Sequence, residues 1–301
     1  MESVGTSHQA TKQTLTFKVV GDCPIRADVY ALPGTVARPV ILWIHGGALI
    51  MGNRGQIDPT HFDAYARAGF TVVSIDYRLA PETKLAGIIE DVRDAFRWVR
   101  QKLPAIVPID PNRIAVVGHS AGGYLTLMTG YSVGPRPRAL VSFYGYGDVS
   151  GAWYGTPNPF HCQLPPVSKE QAHEVVGKRV ISADLGQTNR QRFYHYCRQQ
   201  GVWPKEISGF DPHTQPQEFD RFCPLRNVTS NYPPTLLLHG DQDEDVPYEQ
   251  SVCMARELAR HGVEHELITI PGGRHGFAGA DGSVVASAFE CVLSFLTRHL
   301  A

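Results

Sequence analysis

Between Pro39 and Tyr144 the chain switches repeatedly between two hydrophobic patterns. Short, nearly unbroken apolar runs occupy residues 40–44, 71–75, 114–117 and 139–144. Runs this short predict strands buried on both faces. Between them Ile88, Val92, Phe96, Val99 and Leu103 recur at helical spacing and predict an amphipathic helix. Phe62, Tyr65 and Ala66 predict a shorter helical face, closed by Gly69. The alternation returns late in the chain, with a strand at 235–238, a helix at 250–260 stopped by Gly262, and a strand at 266–270. A last helix carries Val285, Phe289, Val292 and Leu296 on one side. Repeated strand–helix units imply an α/β fold: a mainly parallel, doubly wound sheet with its site at the carboxyl ends of the strands.

Two stretches depart from this rhythm. Residues 14–20 and 25–30 largely alternate apolar and polar positions around Gly21-Asp22-Cys23-Pro24, which predicts an antiparallel hairpin at the sheet edge. Residues 147–234 are rich in aromatics, prolines and polar residues, and no loop of that length is expected without structure of its own. The expected organisation is a core formed by residues 1–146 and 235–301, with 147–234 as an inserted cap. Within it, helix is expected around 169–176 and 189–199.

Composition narrows the class. Apolar residues at 43% and charged residues at 19% suit a soluble folded enzyme and argue against disorder. A net charge of −1 offers no electrostatic footprint for nucleic acid or anionic membranes. No apolar run approaches the roughly 18 residues of a membrane span. Met1-Glu2-Ser3-Val4-Gly5 has neither the basic patch nor the apolar segment of an export leader, so a cytoplasmic location is expected. Cys23, Cys162, Cys197, Cys223, Cys253 and Cys291 form no C-x-x-C pair and are expected as free thiols.

The chemistry is concentrated where the strand at 114–117 meets Gly118-His119-Ser120-Ala121-Gly122-Gly123, followed by the apolar start of a helix at 124–128. A serine in G-x-S-x-G between strand and helix is a nucleophile elbow: the turn lifts the hydroxyl above the sheet and places the first helical amides behind it. Such a hydroxyl needs a base, and the base needs a group to orient it. Among 13 histidines, His275 lies in the glycine-flanked loop Pro271-Gly272-Gly273-Arg274-His275-Gly276-Phe277, just after a strand. A histidine base implies that kcat/KM rises with pH near the ordinary imidazole value of about 6.5. The loop after the preceding strand, Asp241-Gln242-Asp243-Glu244-Asp245-Val246-Pro247, offers three aspartates as the acid. A calcium loop is a poor alternative, because Val246 and Val252 stand where glycine and a bidentate glutamate are needed.

The chain resembles α/β-hydrolases of the hormone-sensitive-lipase-like esterase group. The matching pieces, in order, are His45-Gly46-Gly47-Ala48, Asp76-Tyr77-Arg78-Leu79-Ala80-Pro81-Glu82, Gly118-His119-Ser120-Ala121-Gly122, the stretch from Asp243 to Pro247, and His275-Gly276-Phe277. The resemblance implies a triad of Ser120, Asp243 and His275, with Asp241 and Asp245 left as loop or surface residues. It also implies an oxyanion hole made by the backbone amides of Gly47, Ala48 and Ala121, with Ala48 replacing the usual third glycine. Because few residues precede position 40, the cap is expected from the insertion, an arrangement more like dienelactone hydrolases and prolyl-oligopeptidase-type peptidases.

The activity this implies is hydrolysis of small or medium acyl esters through an acyl-enzyme, with no metal or organic cofactor. The same machinery on an amide, lactone, carbamate or short peptide is the alternative. A ligand receptor on a hydrolase scaffold is the non-enzymatic one. The oligomeric state is left open. Arg78, Glu82 and Asp91 are expected to brace the loop beside the oxyanion turn, and His119 to pack beneath the elbow. Trp153, Tyr154, Phe160, Tyr194 and Trp203 are candidates for the substrate pocket, with packing inside the cap as the competing role.

Overall fold

The computed structural model describes residues 10–301; the leader reading of residues 1–5 lies outside them. In chain order the elements are β1 (Thr11–Val20), β2 (Cys23–Ala31), β3 (Arg38–Ile44), α1 (Pro59–Arg67), β4 (Thr71–Ile75), α2 (Leu85–Gln101), β5 (Ile109–His119), α3 (Ala121–Ser132) and β6 (Ala139–Phe143). After β6 come α4 (Ala152–Gly155), α5 (Lys169–His173), α6 (Gln191–Gln200) and α7 (Trp203–Ser208), interspersed with 3-10 turns. The chain closes with β7 (Thr235–Gly240), α8 (Glu249–Arg260), β8 (His265–Ile270) and α9 (Gly282–Leu300).

The strands form one eight-stranded sheet in the order β1-β2-β4-β3-β5-β6-β7-β8. β1 pairs antiparallel with β2, and β2 antiparallel with β4. The remaining pairs are parallel. The unbroken apolar runs are explained by two-sided burial, since successive side chains of a strand point to opposite faces. Val40, Leu42 and Ile44 join one core with Val73, Val116 and Leu140. Ile41 and Trp43 join the other with Val117, Val141 and Leu238, against Tyr65 of α1 and Phe289, Val292 and Leu296 of α9.

Residues 147–234 do not build a separate core. Phe193, Tyr194, Cys197, Trp203 and Phe219 belong to the same buried cluster as α2, α3 and one face of the sheet. Four arginine and tryptophan side-chain hydrogen bonds, described below, tie this insertion to the loops at the carboxyl ends of the strands.

Element boundaries differ from the periodicity where tertiary contacts extend or cut them. The hairpin turn is tighter than expected, with Cys23 and Pro24 paired opposite Val20 and Val19. α5 ends at His173 rather than continuing to 176. α6 ends where Gly201 takes a left-handed conformation, φ 65°. α4 and α7 are too short for any hydrophobic period to announce them. Among the described residues, no helix is long and apolar enough to cross a membrane, and all six cysteines are free.

Candidate active site

The elbow is built by close backbone approach. Ser120 caps α3 with φ 54° and ψ −121°, a left-sided conformation that costs a non-glycine residue on the order of 1–3 kcal/mol. Its amide donates to Phe143 O at 2.9 Å, which ties the turn to β6. A β-carbon at Gly122 would lie 2.1 Å from Ile44 O, and one at Gly118 would lie 2.4 Å from Gly122 O. Both neighbours are backbone atoms that cannot move aside, so these positions admit only glycine.

Three loops bring the expected triad residues together. His275 Nε2 lies 3.1 Å from Ser120 Oγ, and His275 Nδ1 lies 2.8 Å from Asp243 Oδ2. The other oxygen of Asp243 accepts the amides of Asp245 at 3.0 Å and Val246 at 2.9 Å. Buried His239 sits 3.3 Å from Asp243 Oδ2 and is itself held by Ser251. Burial works against the Asp243 charge, but hydrogen bonds from His239, His275 and the Val246 amide outweigh it, so its pKa is lowered. An ionised acceptor at Nδ1 assigns the Nδ1–H tautomer to neutral His275 and leaves Nε2 free to accept the serine proton.

Asp241, one of the three candidate acids, instead accepts the Gly272 amide at 2.8 Å and ties the histidine loop to β7. Asp245 lies in the loop as expected but is not a mere surface residue. It lines the cavity above Ser120 and comes within 4.0 Å of His275 Nε2. His275 is pulled down by burial but raised overall by the Asp243 hydrogen bond and the charges of Asp245, Asp243 and Glu244.

The oxyanion turn follows β3. Gly47 and Ala48 have φ values of 99° and 54°, and a β-carbon on Gly47 would lie 2.1 Å from Met51 O. Among the described residues, the backbone amides of Gly47, Ala48 and Ala121 donate no hydrogen bond. Donors in that state are available to a developing negative charge. The turn is braced from several sides. Tyr77 OH donates to the carbonyls of His45 and Gly46 at 3.1 and 3.2 Å. His45 stacks on that tyrosine at 4.2 Å, and burial pushes its pKa down to about 3, so it stays neutral. Arg78 grips Asp91 through Nε at 2.7 Å and Nη2 at 2.8 Å. Glu82 pairs with Arg190 at 2.8 Å, and Arg190 also donates to Ile50 O and Ala80 O. The sequence reading missed Arg190; an arginine inside a polar, aromatic insertion carries no local signal of burial.

A cavity of about 550 Å³ opens over Ser120. Its walls include Gly47, Ala48, Met51, Gln56, Tyr144 and Gln191, together with Tyr194, Asp245 and His275. Of the five proposed pocket aromatics, only Tyr194 is among them. Trp153, Tyr154 and Trp203 instead stack face to face at 3.8 and 3.9 Å, Tyr154 and Trp203 inside the shared core and half-buried Trp153 against it. Trp203 also donates its indole N–H to Ala48 O at 3.1 Å, so it supports the oxyanion turn from behind. Phe160 packs beside Arg274 and His161, away from the cavity. These four take the competing role of packing: in Trp153, Tyr154 and Trp203 an amphipathic aromatic places its polar tip in a core as well as in a pocket, and Phe160 has no polar tip to direct it to the cavity. His119 also differs: it reaches the cavity wall rather than lying beneath the elbow, and burial pushes it down to about 4. Among the described residues, no three His, Cys, Asp or Glu side chains are grouped to hold a metal ion.

A mainly parallel sheet with a serine elbow, a histidine loop and an insertion before the acid loop defines an α/β-hydrolase architecture. The sequence model of the BD-FAE family, an esterase family of this fold, matches residues 27–258, and the chain belongs to it. Among curated proteins, the non-reducing polyketide synthase pkbA of Emericella nidulans is 31% identical over 330 residues, covering 90% of this chain. A 5-methylorsellinic acid synthase of Aspergillus terreus is 30% identical over 359 residues, covering 98%. The chain spans only 13% and 14% of the length of these two relatives.

Solved structures share the fold. A protein of unknown function from Staphylococcus aureus superposes with TM-score 0.78 at 21% identity, covering 96% of this chain and 100% of its own. The acetyl ester-xyloside bifunctional hydrolase of Caldicellulosiruptor lactoaceticus gives 0.69 at 23%, covering 95% and 96%. Thermogutta terrifontis esterase 2 phosphorylated by paraoxon gives 0.68 at 20%, covering 95% and 94%.

Proposed function

We propose that the chain is a carboxylic ester hydrolase in which Ser120 is the nucleophile, His275 the general base and acid, and Asp243 the group that orients it. Ser120 Oγ attacks the ester carbonyl as His275 Nε2 takes its proton. The amides of Gly47, Ala48 and Ala121 stabilise the tetrahedral oxyanion, and His275 then protonates the leaving alcohol. Water, deprotonated by the same imidazole, releases the acid from Ser120. Asp243 keeps the proton on Nδ1 and stabilises the transient imidazolium. The observation that carries this reading is the hydrogen-bonded line from Asp243 through His275 to Ser120, beside three backbone amides that donate to no acceptor among the described residues.

The test is reaction with a fluorophosphonate probe, followed by turnover across esters, thioesters, lactones and amides of graded acyl size. Labelling at Ser120 with ester turnover supports the assignment; a receptor on this scaffold would not label. The names of the curated relatives favour a second reading of the acyl group. One is called a 5-methylorsellinic acid synthase, so an aromatic acyl group is the second substrate class for the panel. Six free cysteines support a reducing compartment such as the cytoplasm as its place of action.

A further inference from the structure

The carboxylate of Asp245 is a charged group on the cavity wall that the proposed mechanism does not use. Its two oxygens are in different situations. Oδ1 accepts from Tyr194 OH at 2.6 Å and faces His161 Nε2 at 2.9 Å and Arg198 Nε at 3.5 Å. Oδ2 has no hydrogen-bond partner among the described residues, and His275 Nε2 lies 4.0 Å from it. The side chain is therefore clamped by one oxygen while the other faces the reacting centre. Burial opposes its charge, but His161, His275, Arg198 and Tyr194 together hold its pKa well below the usual carboxylate range.

Position and charge balance say what this oxygen accepts. In the proposed mechanism His275 Nε2 hands a proton to the leaving oxygen, which must then lie about 2.6–3.2 Å from it. Oδ2 is beside the same nitrogen, so it neighbours the alcohol part of the ester. Arg198 is fully buried, donates to Asp245 O at 2.8 Å and to Trp153 O at 2.9 Å, and offsets the carboxylate charge. That offset acts from the Oδ1 side and is partial at Oδ2, which accepts from a neutral donor and still repels an anion. Gln56 and Gln191 add further amide groups to the cavity wall.

We infer that Asp245 is a specificity-determining residue, selecting esters whose alcohol part bears a neutral hydroxyl next to the scissile oxygen and rejecting those with a carboxylate there. The inference rests on Ser120 and His275 acting as proposed. A hydroxyl on the carbon adjacent to the ester-bearing one donates to Oδ2. A methoxy group at that place cannot donate, and a carboxylate meets like charge in a partly dry site.

The experiment compares kcat/KM for 2-hydroxyethyl acetate, 2-methoxyethyl acetate and acetoxyacetate, each divided by its rate of alkaline hydrolysis. The wild-type protein is expected to favour the hydroxyethyl over the methoxyethyl ester about tenfold, and to disfavour acetoxyacetate by a similar factor. Asp245→Asn turns an amide NH₂ toward the cavity, so the first ratio should fall to about twofold or less and acetoxyacetate should gain relative to the methoxyethyl ester. The wild-type ratios test the idea even if the variant, with Arg198 left unbalanced, does not fold. Equal wild-type turnover of all three esters overturns this inference alone. No turnover of any ester and no fluorophosphonate labelling overturns the reading of Ser120, and this inference with it.

Discussion

The loops at the carboxyl ends of the sheet and the insertion between β6 and β7 hold the site by different means. The sheet-edge frame relies on backbone. Gly118, Gly122 and Gly47 allow main-chain atoms to approach within distances that any β-carbon would violate. Its proposed chemical work is done by amides and by side chains at turn tips. The insertion relies on side chains: Arg190 and Arg198, both almost fully buried, spend their donors on carbonyls and carboxylates of the frame. If the proposed roles hold, catalysis and selectivity are separable here, with Asp245 at the seam: it belongs to the frame's acid loop but is clamped by Tyr194, His161 and Arg198 of the insertion.

The comparison breaks first at Ser120. Ser120→Ala should lower kcat on the order of a million-fold while leaving the thermal melt close to wild type. Residual activity above about a thousandth of wild type, more than an oxyanion hole alone explains, would remove the frame from the chemistry. Asp243→Asn should cost about ten-thousand-fold in kcat, because the amide favours the wrong imidazole tautomer. Asp241→Asn and Asp245→Asn should cost far less in the same assay, and a larger loss at Asp241 would put the acid at the wrong residue.

On the insertion side the expected losses are in stability. Arg190→Ala leaves Glu82 buried without its partner and frees the carbonyls of Ile50 and Ala80, so urea unfolding should show a loss of about 3–5 kcal/mol. A near-neutral result would mean that the insertion is not anchored there. Trp203→Phe removes the donor to Ala48 O and should cost about 1–3 kcal/mol. The ratio of kcat/KM between short and long acyl esters should not move, since Trp203 packs in the core rather than in the cavity; a changed ratio would return it to the pocket.

The smallest effect sharpens the seam itself. Only neutral imidazole takes the serine proton, so kcat/KM rises with pH through the His275 pKa. Because that pKa is raised by Asp243, Asp245 and Glu244 against the opposing effect of burial, the limb should lie above the ordinary value of about 6.5. The earlier expectation of a limb near that value is thereby moved upward. Asp245→Asn removes one of the raising charges, so its limb should fall to lower pH in a kcat/KM titration. An unmoved limb would mean that the insertion's clamp on Asp245 does not reach the base.

Much of the frame was legible because its signals are local. Two-sided apolar runs announced β3, β4, β6 and β7, and the elbow is written in consecutive residues whose glycines a tight turn demands. The loop position of His275 was readable for the same reason. The motif resemblance chose Asp243 from three aspartates, and folding brings that one to His275 Nδ1.

The sequence by itself therefore determined the sheet and the elbow, through hydrophobic period and turn chemistry that act over a few residues. The choice of acid for the candidate triad came from the motif resemblance. Only the tertiary structure decided which insertion residues reach the cavity, and why Arg190 and Arg198 are buried. It alone decided that Asp245 faces the reacting centre. Those outcomes depend on partners far apart in the chain, 84 residues between His161 and Asp245 and 140 between Ile50 and Arg190. A buried polar group is stable only where such partners satisfy it, and no stretch of neighbouring residues records where folding will place them.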